Sequence, residues 1–424
     1  MLSEFLSFLV SIITVYWWII VLPFLIIILL DLWLFYKREK FKKGIAWSLI
    51  EIRIPKEIEK TPKAMEQIFT SLQATYSFGI LPRDKWFKGR VEGWTSFEIV
   101  GKAGRTHFLI RINEDYRDLL ESAIYAQYPQ AEISLVPEEE DYVNDFGSDI
   151  PNDEFDIFGT EFVLAREDAY PIRTYEYFEH AVKEEKRIDP IANLTEIMST
   201  LESYELVWIQ LLVRPTSNSW IKKAQELVDE LMGEKKKKKS GVFDIIGGLI
   251  GAILEFVINL FVGAFEQPTW GDEKQEGDKD EKKKDISPGK RKIIEAIEEK
   301  MSKTGFETII RFVYIDKKDD FSRSNISGVM GHFHQFSTQN LNSLRPNIAT
   351  MPIARGLFKK KKILRKKRRL FAFAKVREFP GKYSVLNTEE LATLYHFPIS
   401  GVQSAFLRRV TTKKGGPPTD LPIT

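Results

Sequence analysis

From Phe5 to Leu30 the chain carries no charged side chain, and the run is closed by Asp31 and then by Lys37, Arg38, Lys40, Lys42 and Lys43. No other feature narrows the choice of folds as much. Roughly 20 apolar residues suffice to cross a hydrocarbon core, so residues 1–43 are expected to form a transmembrane anchor, kinked at Pro23. The basic cluster follows the apolar run instead of preceding it, which is the reverse of a cleavable leader. By the positive-inside rule, such a cluster keeps the remaining chain in the cytoplasm. The expected localisation is therefore a single-pass membrane protein with a cytoplasmic C-terminal body. A buried core helix is the competing reading, but helices of globular domains keep a polar face.

The 424 residues leave room for two or three domains beyond the anchor. The formal net charge of +2 hides local excesses, acidic between Glu138 and Asp156 and basic between Lys359 and Arg369. There is no cysteine, which excludes disulfides, thiolate nucleophiles and cysteine-ligated zinc together.

Residues 44–137 read as a ferredoxin-like α+β domain. Ile50, Ile52 and Ile54 alternate with Glu51 and Arg53, the period of a half-buried strand. Met65, Ile68, Phe69 and Leu72 then fall on one helical face. Phe97 and Ile99, with Phe108, Ile110 and Ile112, flank Gly101–Gly104 as a hairpin. A second helix carries Leu120 and Ile124, and Ile133 and Leu135 mark a last strand. The order βαββαβ is that of an antiparallel sheet with both helices on one face. An acidic linker over residues 138–158 leads to a second α+β domain, residues 159–348, whose elements repeat this order. Its central strand is Glu205–Arg214, apolar on both faces.

Inside the second domain lies an insertion, residues 234–287. Its apolar part, 242–265, bears a narrow polar stripe and is preceded by the lysine run 235–239. That pattern predicts an amphipathic helix lying in a membrane interface, the alternative being a core or oligomerisation helix. The charged remainder is expected to be disordered.

The search for chemistry returns little. No phosphate-binding loop and no G-x-S-x-G nucleophile elbow is present. His332 and His334 lack a third ligand at a recognisable spacing, and His107 reads as an outward-facing strand residue. No catalytic residue, metal ligand or cofactor site is expected, and the chain reads as a non-enzyme. What remains is residues 349–424, a basic segment followed by a docking region. Lys359, Lys360, Lys361, Lys362, Arg365, Lys366, Lys367, Arg368 and Arg369 form a density of charge that attracts phosphate of any kind, whether nucleic acid or anionic lipid. A solvated loop without a ligand is the bland alternative. Downstream, Asn387 and Glu390 form a capping-box pattern, with Leu391, Leu394 and Tyr395 as an inner face, then Phe397 and a stop at Pro398.

This last segment, Val385 to Pro398 followed by Lys413-Lys-Gly-Gly-Pro-Pro-Thr-Asp-Leu-Pro422, resembles the run that stands just before the ATPase domain in conjugative-transfer ATPases of the type IV secretion class and their HerA/TraG-like relatives. The run from Glu51-Ile-Arg-Ile-Pro55 to Tyr125-Ala-Gln-Tyr-Pro129 is similar to the membrane-anchored front portion of the same group. The nucleotide-binding domain of the fused relatives does not follow, so no nucleotide-binding residue carries over. The resemblance implies a non-enzymatic, membrane-anchored scaffold of a DNA or protein translocation machine, possible as a homo-oligomer. A separately encoded P-loop ATPase would dock on Asn387, Glu390, Leu391, Leu394, Tyr395 and Phe397. The alternative is a membrane-surface module that binds nucleic acid or anionic lipid through the basic segment.

Overall fold

Alternating strands that each hide one face need a sheet with cover on that side, and nearly every strand here hides both faces. The structure, a computed structural model, describes residues 2–55, 60–77, 79–180, 189–233, 287–380 and 383–398. The strands are β1 (Trp47–Arg53), β2 (Thr95–Lys102), β3 (Arg105–Asn113), β4 (Glu132–Leu135), β5 (Phe155–Leu164), β6 (Leu206–Pro215), β7 (Gly305–Lys317), β8 (Leu344–Pro346) and β9 (Ser384–Asn387). All pair antiparallel in one sheet of order β4-β1-β3-β2-β6-β7-β5-β8, with β9 continuing along β7 beyond the end of β5.

The order contains a repeat. The first four strands stand as β4-β1-β3-β2, and the next four, taken from the other edge, as β8-β5-β7-β6, the same arrangement. The two units meet through their second strands, where Glu98 faces Gln210 and Ile99 faces Ile209. The sheet therefore runs unbroken across both units. In the first unit β2 and β3 form the hairpin, with Lys102 opposite Arg105. In the second, β6 and β7 are joined through α6 (Ser219–Met232), the insertion and α7 (Pro288–Ser302). The insertion's expected interfacial helix and disordered loop lie outside the described residues, as do residues 399–424.

One face of the sheet is covered by α2 (Lys63–Leu72), α3 (Arg117–Gln127), α5 (Ala192–Ser199), α8 (Arg323–His334) and α10 (Thr388–Leu394). The short helix α4 (Tyr175–His180) packs beside α10. Phe69, Phe97, Ile110, Phe306, Phe312 and Leu391 are fully buried in this layer. The opposite face carries a second apolar layer, in which Trp208, Val313 and Ile315 meet Leu370, Phe371 and Ala374 of α9 (Lys359–Lys375). The acidic segment also lies there: Val143, Phe146 and Ile150 pack into this second layer, so the stretch expected as a linker covers the sheet.

The expected transmembrane anchor is corrected. Among the described residues no helix is long and apolar enough to cross a membrane. The N-terminal helix α1 runs Leu2–Lys43, but the side chains of residues 2–17, 19, 20 and 23 lie outside the described set, and the kink expected at Pro23 with them. From Phe24 onward the uncharged run ends at Asp31 and is followed by Lys37, Arg38, Glu39 and Lys40, short of the roughly 20 apolar residues a span requires. The single-pass localisation inferred from that anchor is overturned with it. The described fold is an α+β protein built on a nine-stranded antiparallel sheet.

Candidate functional site

The basic segment is a helix, α9, with ten basic and no acidic residues between Lys359 and Lys375. Its C-terminal turns are apolar enough to pack: Leu370, Phe371 and Ala374 are buried, and burying a Leu or Phe side chain contributes about 1.5–3 kcal/mol. Leu370 reaches β5 over Gly159, where a Cβ would stand 2.8 Å from the leucine methyl and 2.2 Å from the Phe312 carbonyl oxygen. Only glycine fits that crossing.

A row of polar side chains on the sheet satisfies the helix end, whose last carbonyls have no partners within the helix. Gln210 donates to the Ala374 carbonyl at 2.9 Å and Arg311 to the Phe373 and Glu378 carbonyls at 3.1 and 3.0 Å. Arg111 donates to Val376 at 3.1 Å and Trp94 to Arg377 at 2.8 Å. The chain leaves the helix through a left-handed residue, with the Arg377 amide bonded to Ala374 and the Glu378 amide to Phe373. This is the Schellman arrangement, in which glycine is usual. Here Arg377 holds φ +52°, a conformation that costs a non-glycine residue roughly 1–2 kcal/mol. Its guanidinium accounts for the choice, since it pairs with Glu98 at 2.9 Å and with Asp141. Glu98 also accepts from Trp208 at 2.8 Å and from Ser96 at 2.6 Å. Burial alone would lower the Arg377 pKa, but the two carboxylates outweigh it and raise it.

Two of the nine predicted anion-binding residues serve this anchoring. Lys366 donates to the carbonyls of Ile348, Met351 and Ile353 at 3.0, 3.0 and 3.1 Å. Lys367 reaches both carboxylate oxygens of Asp156 at 2.6 Å. The other seven, Lys359, Lys360, Lys361, Lys362, Arg365, Arg368 and Arg369, are exposed, and none forms an ion pair among the described residues. Four of them crowd the first turn, the positive end of the helix dipole, where each cation costs about 0.3–1 kcal/mol at low ionic strength. Around that end stand exposed apolar side chains: Leu357 at 82% exposure, Phe358 at 70% and Ile348 at 69%. Ile353 and Leu364 are exposed beside them.

The predicted docking residues have the opposite fate. The capping box is present, with the Asn387 side chain accepting from the Glu390 amide and the Glu390 side chain from the Asn387 amide. Yet Asn387, Glu390, Leu391, Leu394, Tyr395 and Phe397 are all buried. Tyr395 and Phe397 pack on Phe97, Phe108 and Tyr128 of the first unit, at centroid distances of 5.1–6.0 Å. Glu390 additionally accepts from the Ile172 amide at 2.8 Å and pairs with Lys300 of α7 at 2.9 Å. The face expected to receive an ATPase is thus occupied by the chain itself, because its apolar residues complete the layer under both units.

His107, expected to face outward, is buried on the second face of the sheet. It bonds Glu51 at 2.6 Å and the Tyr142 hydroxyl at 2.8 Å. Burial would raise the Glu51 pKa, but hydrogen bonds from His107 and Arg53 outweigh it and hold it at about 2. His332 is buried without a charge partner; burial first, then the nearby His396, pushes it down to about 3. Among the described residues no three His, Asp or Glu side chains converge as metal ligands. Sequence reasoning missed the polar row. Its signal was a lone polar residue inside otherwise apolar strands: Glu98 in Phe-Glu-Ile, Gln210 in Ile-Gln-Leu and Arg311 in Ile-Arg-Phe.

Two cavities open on the surface. One of about 530 Å³ lies between α6 and the start of β9, lined by Asp168, Trp220, Lys223 and Glu307 among others. The other, about 620 Å³, lies where α1 meets the helical turn Asp84–Lys88.

Residues 36–405 match the family described as Domain of unknown function (DUF8128), and the chain belongs to that family. No curated protein matches the chain.

Proposed function

We propose that this protein is a non-enzymatic platform that engages an anionic lipid surface through α9. The observation that carries the reading is the division of labour within that helix. Lys366, Lys367 and the C-terminal turns fix it to the sheet, while seven cations without an ion-pair partner among the described residues face outward. Cations crowded at the wrong end of a helix dipole are a local cost that a layer of phosphates offsets. Lipid is favoured over nucleic acid by Leu357, Phe358, Ile348 and Ile353, whose exposed side chains gain by entering an interface and gain nothing from a phosphate backbone. Each basic residue near an anionic surface contributes on the order of 1 kcal/mol.

The test is flotation of the full chain with phosphatidylcholine vesicles, with and without phosphatidylserine, across a salt series. Binding that requires phosphatidylserine and weakens with salt supports the reading. Equal binding to both vesicles, or displacement by single-stranded DNA at equal phosphate concentration, counts against it.

The role of this platform in a translocation machine, with a separately encoded ATPase as partner, rests on the resemblance of the Glu51–Pro129 and Val385–Pro398 runs alone. With Leu391 and Tyr395 buried, such an ATPase would have to dock elsewhere. Co-purification of an ATPase from mildly solubilised cells, unaffected by Leu357→Ser, would support that role; recovery of the chain without one would remove its support.

A further inference from the structure

We infer that the cavity between α1 and the turn Asp84–Lys88 is a seat for the phosphate-bearing headgroup of an anionic phospholipid. The inference shares the lipid-surface reading of the chain but uses none of the residues of α9, so the two can fail separately.

The cavity, about 620 Å³, lies within the range of about 300–1,000 Å³ usual for small-molecule sites. Lys37, Lys40 and Lys88 line it together with Phe41 and Phe87. Asp115 is its one carboxylate; Asp84, outside the lining, pairs with Lys88 at 2.9 Å. Lys37 lies over the Trp33 ring at 4.6 Å, and neither Lys37 nor Lys40 forms an ion pair among the described residues. Positive charge thus exceeds negative in a recess with aromatic walls, the chemistry that suits a phosphate joined to an apolar tail.

The surroundings decide what the rest of the ligand is. On α1, Leu29, Leu30, Leu32, Trp33 and Phe35 are exposed just above the lysines. At 1.5 Å per residue, Leu29 to Lys37 covers about 12 Å of helix. On the other side of the recess Leu81 and Phe87 are 68% and 69% exposed. A polar anion would leave these side chains in water, whereas acyl chains beside the headgroup cover them. Trp33 and Trp86 join the two walls, the Trp33 indole donating to the Trp86 carbonyl at 3.3 Å, and amphipathic rings of this kind favour the interfacial level.

The recess depends on one glycine. Gly89 has φ +70°, and a Cβ there would stand 2.3 Å from the carbonyl carbon and oxygen of Lys37. Any side chain at position 89 pushes the turn off α1 and opens the recess without removing a charge.

The experiment uses the full chain with phosphatidylcholine vesicles that contain brominated phosphatidylserine, reading quenching of Trp86 as the difference between the protein and its Trp86→Phe variant. The triple variant Lys37→Gln/Lys40→Gln/Lys88→Gln is expected to weaken the lipid dependence of that quenching by about tenfold to a hundredfold. Gly89→Ala is expected to weaken it as well, with an unchanged circular dichroism spectrum. Lys360→Gln/Lys361→Gln/Arg365→Gln on α9 is expected to leave the dependence in place. Wild-type quenching in the lysine triple variant would overturn the inference. So would its abolition by millimolar inorganic phosphate, which would make free phosphate the ligand.

Discussion

The two helices α9 and α10 lie within 36 residues of each other, yet the fold uses them in opposite ways. α10, with its capping box and apolar face, is drawn wholly inside, and even its charged Glu390 is fully buried. α9 is attached at one end and bristles with cations at the other. A capping box reports that a helix starts and says nothing about which of its faces meets solvent. Density of like charge does report exposure, because unpaired cations are not buried. The α10 side of the molecule should therefore govern stability, and the α9 side binding.

The largest effect that would break this division is at Lys300. Its ammonium is fully buried against Glu390 at 2.9 Å and also donates to the Val385 carbonyl at 3.0 Å. Lys300→Met leaves the Glu390 carboxylate in the core without its counter-charge, which costs roughly 3–5 kcal/mol. The denaturant midpoint should fall accordingly while vesicle binding, measured well below that midpoint, stays as in the wild type. A loss of binding at full folding would show that the α10 side contributes to the surface.

A second test separates the two sides by pH. His332 is held neutral in the fold, its pKa pushed by burial from 6.5 to about 3, with His396 as the facing cation-capable group and Asp189 bonded to His396 at 2.9 Å. The unfolded chain binds a proton at His332 below about 6.5 and the folded chain does not. Its contribution is complete above that pH and is lost progressively as pH falls from 6.5 towards 3, by up to about 4 kcal/mol. His332→Leu should flatten that stretch of the stability profile. The cations of α9 stay protonated throughout, so lipid binding should not follow the same curve.

How much of this was legible follows the same physics. The strands of the first unit were readable because Ile50, Ile52, Phe97, Ile99, Phe108 and Ile110 alternate and all point to one layer. The second layer was not, because its cover comes from segments with no periodicity of their own: Val143, Phe146 and Ile150 sit among acidic residues that read as a linker. The union of the two units into one sheet rests on β2 pairing with β6, a contact between strands more than a hundred residues apart that leaves no local trace. At α9, the cations could be counted in advance, but not that Lys366 and Lys367 would turn inward. That depends on Asp156 and the 348–353 carbonyls, brought there by the fold.

On the α9 side the next effect is electrostatic. Lys360→Gln/Lys361→Gln/Arg365→Gln removes three exposed cations and no described contact. At on the order of 1 kcal/mol each near an anionic surface, affinity for phosphatidylserine vesicles should fall about a hundredfold at low salt. The deficit should shrink as salt screens the wild type. The melting temperature should not fall, and relief of crowding at the helix dipole could raise it slightly.

The finest cut runs between neighbours on α9. Lys367 is pinned to Asp156 at 2.6 Å, while Arg368 faces outward with no ion pair among the described residues. A half-exposed ion pair contributes about 0.2–1 kcal/mol, so Lys367→Gln should lower stability by no more than that and leave vesicle affinity nearly unchanged. Arg368→Gln should do the reverse, lowering affinity severalfold with no measurable loss of stability. If both substitutions move both quantities alike, the helix does not divide into an anchoring side and a binding side. The separation drawn between α9 and α10 would then extend no further than burial. If the two effects cross as stated, a single residue step along one helix carries the same distinction that separates the two helices, set by whether the fold supplies the counter-charge or leaves it to a partner.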